Sequence, residues 1–255
     1  MRYLTSSETE LLKWIGLFAM LLDHIAIIFA STSVAYLSLF RIIGRMAFII
    51  FGFIIATNLA RAEINVKKYI RRMLIWACIA QLPYQWVFYQ SLYPIYELNI
   101  LFQFLAVIIY IYGWRILSNA HPRDKIKGMS LTLLAVSLAL FSDYHLTGFL
   151  YCLFCYTYLC VAKTTLRRAL GSASLIIFVY IINRSMISDY FGTVLLPVSI
   201  AIMSFTILYM LYPNTFEFTR QLNLSRPKSG LFKYFFYIIY PFHLIVLKII
   251  VGTLS

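Results

Sequence analysis

Charged residues are scarce in this sequence, and acidic residues are the scarcest. Asp, Glu, Lys and Arg make up 12% of the 255 residues, with only 9 acids against 22 bases. Since a soluble domain carries about 25% charged residues, the composition excludes an ordinary soluble protein. Apolar residues take their place: 62% of the chain is hydrophobic, and the mean hydropathy is +0.82.

Cysteines are also few, and all four lie in apolar runs, at Cys78, Cys152, Cys155 and Cys160. The spacing of Cys152 and Cys155 is that of half a metal site, but no second pair or histidine cluster follows. We therefore interpret the cysteines as small packing residues and expect no metal.

Long apolar runs dominate what remains. A helix needs about 20 apolar residues to cross a bilayer, and several runs reach that length. No linker divides the chain, so residues 1–255 are expected to form one all-α, polytopic membrane domain of about nine helices. The predicted spans are about 11–30, 39–59, 70–90, 99–118, 129–142, 145–162, 169–183, 190–212 and 232–252.

The net charge of +13 is distributed unevenly along the chain. Basic residues cluster in alternate connections, as the positive-inside rule predicts, so we assign them to membrane orientation rather than to nucleic-acid binding. The pattern predicts a cytoplasmic N-terminus and an outside C-terminus, with residues 213–231 as the longest cytosolic connection. The basic residues in these segments include Lys13, Arg61, Lys67, Lys68, Arg71, Arg72, Arg115, Arg123, Lys125, Lys127, Arg167 and Arg168.

Asp23 and His24 interrupt the first run, "LFAMLLDHIAIIF". A charge at the centre of a membrane helix costs about 2.5–3.5 kcal/mol, so such residues usually mark sites. Neighbouring helix positions point about 100° apart, so one residue can serve chemistry while the other braces a neighbouring helix. Imidazole is the usual general base, and a nearby carboxylate can hold its tautomer. The alternative is a hydrogen-bonded core histidine.

With the predicted orientation, Asp23 and His24 lie in the outer half of the membrane, and two more polar residues, Arg45 and Asp143, are expected in the same half. Arg45 follows Gly44, where the second span can approach a neighbour closely. Arg45 can be interpreted as a residue that binds an anion. The alternatives are a snorkelling residue at the membrane interface or a structural ion-pair partner of Asp23 or Asp143. Asp143 reads either as a site residue or as a loop residue at a helix end.

His243 is another polar residue expected in the outer half of the membrane, in the ninth span. It follows Tyr240 and Pro241, and the proline is expected to break the helix and free backbone carbonyls. Helix kinking without chemistry is the alternative. His121 and His145 read as loop histidines.

Six blocks in order resemble the TraX family, the membrane acetylases of F-type conjugative pilin. They are "LKWIGLFAMLLDHIAIIF", "FRIIGRMAFIIFGFI", "YIRRMLIWACIAQLPY", "LNILFQF", "SDYHLTGFL" and "YIIYPFHLIVLK". The chain is also similar to the broader transmembrane acyltransferases, including the acyltransferase-3 family, because Lys13 and His24 resemble that family's basic-x10-His signature.

The resemblance implies a function and a set of roles. The chain would be an acetyl-CoA-dependent acetyltransferase of the bacterial inner membrane. Its acceptor would be the N-terminal amine of a pilin, or alternatively a hydroxyl of a membrane-linked glycan or lipid. The implied catalytic residues are His24, Asp23 and Arg45; the supporting residues are Asp143, His243, Tyr240 and Asn99; the acetyl-CoA phosphates would meet Lys13, Arg71, Arg72 and Lys127.

Three departures from the family pattern stand out. Ile49 occupies a position where proline is usual, so the local helix break should be weaker; His145 replaces a glycine; and residues 56–63 lack glycine. A small proton-coupled transporter remains the other class of function, although the sequence shows no inverted repeat and no paired broken helices.

Overall fold

The computed structural model describes residues 4–29, 36–61, 63–118, 121–162, 164–212 and 234–254. Within these ranges the secondary structure is helical, apart from one isolated bridge between Leu98 and Ser142. The predicted connection 213–231 lies outside the described residues. The helices are α1 (Ser6–Ile28), α2 (Tyr36–Gly44), α3 (Met46–Ala60), α4 (Val66–Phe88), α5 (Ile100–Leu117), α6 (Pro122–Leu140), α7 (His145–Val161), α8 (Thr165–Ile182), α9 (Arg184–Asp189), α10 (Leu195–Leu211) and α11 (Phe235–Leu254).

The helices confirm the predicted all-α membrane bundle. Each predicted span corresponds to a helix, except that the second span is divided at Arg45 into α2 and α3. Four helical segments of the described chain are long and apolar enough to cross a membrane, and α7, α10 and α11 are shorter apolar helices. The chain is therefore a multi-pass membrane protein. The four segments are Ser6–Ile28, Tyr36–Ala60, Ile100–Leu117 and Thr165–Ile182.

Local sequence sets where helices α1 and α6 begin. Thr5 and Glu8 form a capping box at the start of α1, where each side chain bonds the backbone N–H of the other. Pro122 occupies the first turn of α6, where its missing N–H costs no helical bond.

Helix α3 lies in the middle of the bundle. It is apolar on every side and almost fully buried, which is the pattern of a helix surrounded by other helices. It packs against α1, α5 and α7, while α4 packs against α5 and α11. This arrangement brings α1, α4 and α11 to one side of the core, where the polar groups meet.

Glycines allow two close helix contacts. A Cβ atom added to Gly44 would lie 2.4 Å from the Cβ of Asp23, which confirms the predicted close approach and identifies α1 as the neighbour. A Cβ added to Gly52 would lie 2.8 Å from the Sγ of Cys152. Cys152 and Cys155 are buried as predicted, but Cys78 and Cys160 are exposed, so the packing interpretation is wrong for those two.

The turn between α6 and α7 is short, since α6 ends at Leu140 and α7 begins at His145. Tyr144 and His145 have φ values of 52° and 45°, in the left-handed region that glycine adopts most easily. His145 therefore adopts the left-handed conformation that a glycine would favour. Its Nδ1 lies 3.0 Å from the carbonyl oxygen of Leu140, to which it donates.

The predicted helix break at Pro241 is wrong. Helix α11 continues through this residue from Phe235 to Leu254. Proline lacks an N–H, so it removes a single helical hydrogen bond one turn earlier. The neighbouring turns remain helical because the surrounding helices hold α11 in place, and His243 is presented from a continuous helix.

Basic side chains hold the backbone at one end of the bundle, which we call the basic end. Arg61 donates to the carbonyl of Leu4 at 2.7 Å, joining the end of α3 to the segment before α1. Arg115 donates to the carbonyl of Leu59, and Arg168 to that of Ala162. The contacts of Arg61 and Arg115 place the N-terminal segment and the connections that follow α3 and α5 at the same end; the orientation itself stays a prediction.

Candidate functional site

Two histidines from opposite ends of the sequence meet inside the bundle. The Nδ1 of His24 on α1 lies 2.5 Å from the Nε2 of His243 on α11, and the two ring planes are 1° apart. The Nδ1 of His243 lies 2.8 Å from the carbonyl oxygen of Ile239. His243 is only 5% exposed, whereas His24 remains partly exposed and contacts the ring edge of Phe88.

Asp23 serves a different neighbour. Its Oδ1 accepts a hydrogen bond from Nη1 of Arg41 at 2.6 Å, which ties α1 to α2 beside Gly44. Within the described residues no hydrogen bond joins Asp23 to His24. The structure therefore separates the two members of the doublet, as their angular spacing predicts, and gives Asp23 the bracing position.

Arg45 lies at the junction between α2 and α3. Its Nη1 donates to the hydroxyl of Tyr144 at 3.2 Å, and its guanidinium lies 5.6 Å from the centre of the same ring. Its Nε is buried and has no hydrogen-bond partner in the described part of the chain. Asp23 and Asp143 both act on it electrostatically. Arg45 thus retains a buried donor next to two carboxyl groups.

Asp143 occupies the turn between α6 and α7. Burial, followed by the charge of Glu97, raises the pKa of Asp143 to about 7, although Arg45 acts in the opposite direction. The Oε2 of Glu97 accepts hydrogen bonds from Tyr84 at 3.0 Å and from Tyr89 at 2.7 Å.

The other two supporting residues differ in their roles. Asn99 caps α5 through Leu101 and uses its amide to bond Ala77 and Gln81 on α4, so its polar atoms are occupied. It joins two helices and presents no free polar atom. Tyr240 is buried, with its ring 6.3 Å from that of His24, and it lines the cavity described next.

A cavity leads from the basic end toward the histidine pair. Its volume is about 140 Å³ as measured with a water-sized sphere, and Met20 lies on its wall one helical turn before His24. From Lys13 to His24, α1 rises roughly 16 Å, which is the depth the cavity has to cover. The lining residues that matter here are Lys13, Leu17, Met20, Phe104, Arg72 and Tyr240.

Two of the four predicted phosphate-binding cations line this cavity. Lys13 pairs with Glu10 at 2.5 Å. The guanidinium of Arg72 lies 5.2 and 5.4 Å from the ring centres of Tyr69 and Tyr237, and its Nε is buried with no hydrogen-bond partner among the described residues. Arg71 and Lys127 are exposed on α4 and α6 and do not line the cavity.

The fold and the site define a class: a multi-pass helical membrane protein with paired histidines near the inner end of a cavity. The sequence pattern of the family described as "TraX protein" matches residues 8–251. The chain belongs to the TraX family, which confirms the resemblance noted in its sequence.

One curated relative is "Protein TraX" from Escherichia coli. It is 34% identical to this chain over 107 residues, a segment that covers 42% of this chain and 40% of that protein. The match thus spans about two fifths of the relative's length. No solved structure matches the chain.

Sequence reasoning missed three residues of the polar cluster: Arg41, Glu97 and Tyr144. Arg41 precedes Arg45 by four positions and so lies on the same helix face. Glu97 stands two residues before the cap of α5, in a connection on the side opposite the cationic ones. Tyr144 adjoins Asp143, but nothing in the sequence pairs it with Arg45.

Proposed function

We propose that this protein transfers an acetyl group from cytoplasmic acetyl-CoA to an acceptor at the outer side of the bacterial inner membrane. The acceptor proposed first is the N-terminal amine of a conjugative pilin. The observation that carries the proposal is the cavity, which begins beside cationic residues and ends one turn from His24.

The cavity suits the donor at both of its ends. At the mouth, the buried Nε of Arg72 has no hydrogen-bond partner in the described part of the chain, and such a donor is suited to a phosphate oxygen. Deeper, Leu17, Ile54 and Phe104 provide an apolar wall for a thin, uncharged arm. Lys13 and Arg72 would hold the phosphates, and Met20 and Tyr240 would flank the reactive end.

His24 has the position of a general base. Acetyl-CoA would supply the activated acyl group. As the acceptor nitrogen forms its bond to the acyl carbon and the carbon–sulfur bond breaks, His24 would take the proton of the acceptor nitrogen. It would then return a proton to the departing sulfur, so that the products are the acetylated amine and CoA. Arg45, with one donor unused, suits a negatively charged group of the acceptor.

The donor step can be tested with two adjacent arginines on α4. Arg72→Leu should weaken acetyl-CoA binding about 10–100-fold, since a charge-assisted hydrogen bond contributes about 1.5–3 kcal/mol. Arg71→Leu, the matched control on the exposed face, should leave binding within about twofold of wild type. Isothermal titration of the purified protein in detergent measures both, and binding should weaken with added salt.

Two results would contradict this function. A folded protein that binds no acetyl-CoA would favour the transporter interpretation. Equal losses from Arg71→Leu and Arg72→Leu would show that the donor binds on the surface and not in the cavity.

A further inference from the structure

We propose that His243 is a positioning residue that fixes the tautomer of His24, so that Nε2 of His24 is the nitrogen that accepts the proton. The inference rests on the proposed function for its catalytic consequence, but the tautomer itself can be measured without any reaction.

The contact with Ile239 determines which ring nitrogen of His243 carries its hydrogen. The carbonyl oxygen of Ile239 can only accept, so the Nδ1 of His243, 2.8 Å away, must carry a hydrogen. A neutral imidazole carries one N–H, which leaves the Nε2 of His243 with a lone pair. The 2.5 Å contact to Nδ1 of His24 then requires the hydrogen to be on His24. It follows that the Nε2 of His24 has the free lone pair.

Accessibility supports the same division of roles. His243 is 5% exposed and its two ring nitrogens are both engaged, so it has none left for a substrate. His24 remains partly exposed, and its second nitrogen is not used in any hydrogen bond among the described residues. A buried, doubly bonded ring orients its partner, and the accessible ring meets the acceptor.

Asp23 does not take the place that a carboxylate holds in a serine-protease triad. Its Oδ1 is bonded to Arg41, and its pairing with α2 directs it away from His24. When Nε2 of His24 takes a proton from the acceptor nitrogen, the Nδ1 hydrogen stays in the bond to His243. The positive charge is then shared along the His24–His243 hydrogen bond, and the proton leaves Nε2 for the sulfur of the leaving CoA.

The direct test is ¹⁵N NMR of the full-length protein with labelled histidines, assigned by difference with His24→Gln. His24 should appear as the Nδ1–H tautomer with an unprotonated Nε2. An Nε2–H tautomer in the wild type would overturn the proposal. This readout needs no substrate, so it stands or falls separately from the acetyltransferase function.

Two variants of similar size separate positioning from packing. His243→Gln keeps an oxygen acceptor near the position of Nε2, so the His24 tautomer should persist and acetyl transfer to a synthetic peptide amine should fall by less than about tenfold. His243→Leu removes the acceptor, so the tautomers should mix and transfer should fall about 10²-fold or more. His121→Asn, which keeps a capping side chain at the start of α6, is the control.

If both variants behave alike in the NMR spectrum and in transfer, His243 only fills space and the proposal is wrong. If the wild type shows the expected tautomer but transfers no acetyl group, the proposed function fails while the positioning role remains.

Discussion

The two ends of the bundle hold their charges in different ways. At the basic end, Arg61, Arg115 and Arg168 donate to main-chain carbonyls. The ion pair at this end, Lys13 with Glu10, joins residues of a single helix. At the opposite end, which we call the polar end, side chains pair with one another between different segments of the chain: Arg41 with Asp23, and Tyr84 and Tyr89 with Glu97.

This difference distinguishes contacts that anchor the helix ends from contacts that position the side chains of the candidate site. A carbonyl near a helix end accepts from any donor within reach, so the cations at the basic end are interchangeable in kind. A side-chain pair requires two particular residues at a set distance, and removing one partner leaves the other unsatisfied. Substitutions at the polar end should therefore have larger and more specific effects.

The largest expected effect follows from His24→Gln. Glutamine keeps much of the volume and some hydrogen bonding but cannot transfer a proton, so acetyl transfer should fall about 10²–10⁴-fold. Thermal unfolding should change little. Release of CoA thiol by equal amounts of folded protein measures the loss. Near wild-type transfer would show that His24 is a structural histidine.

A smaller effect is expected on the pH dependence of stability, through Asp143. Its pKa is raised from 3.8 to about 7 in the folded protein, so the folded protein holds this proton more tightly than the unfolded chain does. The contribution to stability is complete below about pH 4 and is lost as pH rises through about 7, at most about 1.4 kcal/mol per pH unit.

Asp143→Asn should remove this component, and Asp189→Asn, on the exposed end of α9, should retain it. Unfolding midpoints from pH 5 to pH 8 measure the difference between the two variants. Parallel pH profiles for Asp143→Asn and wild type would mean that Asp143 titrates as an ordinary carboxyl group.

Next comes the pair that ties α1 to α2. Arg41→Met should lower the free energy of unfolding by about 1–3 kcal/mol, because it leaves the buried Asp23 carboxylate without its donor. Adding Asp23→Asn should recover part of the loss, since the uncompensated charge is then gone. Additive losses in the double variant would show that the two side chains are not coupled.

The smallest effect should come from the basic end. Arg61→Lys keeps a cationic donor near the carbonyl of Leu4, so stability should change by less than about 0.5 kcal/mol. Chemical denaturation alongside Arg41→Met gives the comparison directly. A loss as large as that of Arg41→Met would remove the distinction between the two ends.

The sequence is enough to predict the membrane spans and the half of the membrane in which the polar groups lie, because hydropathy and single buried charges are local signals. It also predicts the close approach at Gly44. It cannot pair His24 with His243, since 219 positions separate them and only packing brings α1 beside α11. The continuity of α11 through Pro241 has the same cause, because neighbouring helices decide whether a proline ends a helix.

Sidedness tests the central claim most directly. In sealed vesicles with the protein in one orientation, acetyl-CoA is added on the side of the connection between α5 and α6, and a peptide amine is enclosed on the other side. The account predicts transfer in this arrangement, no transfer when the two are exchanged, and no transfer by His24→Gln in either. Transfer with acetyl-CoA supplied only from the polar end would contradict it.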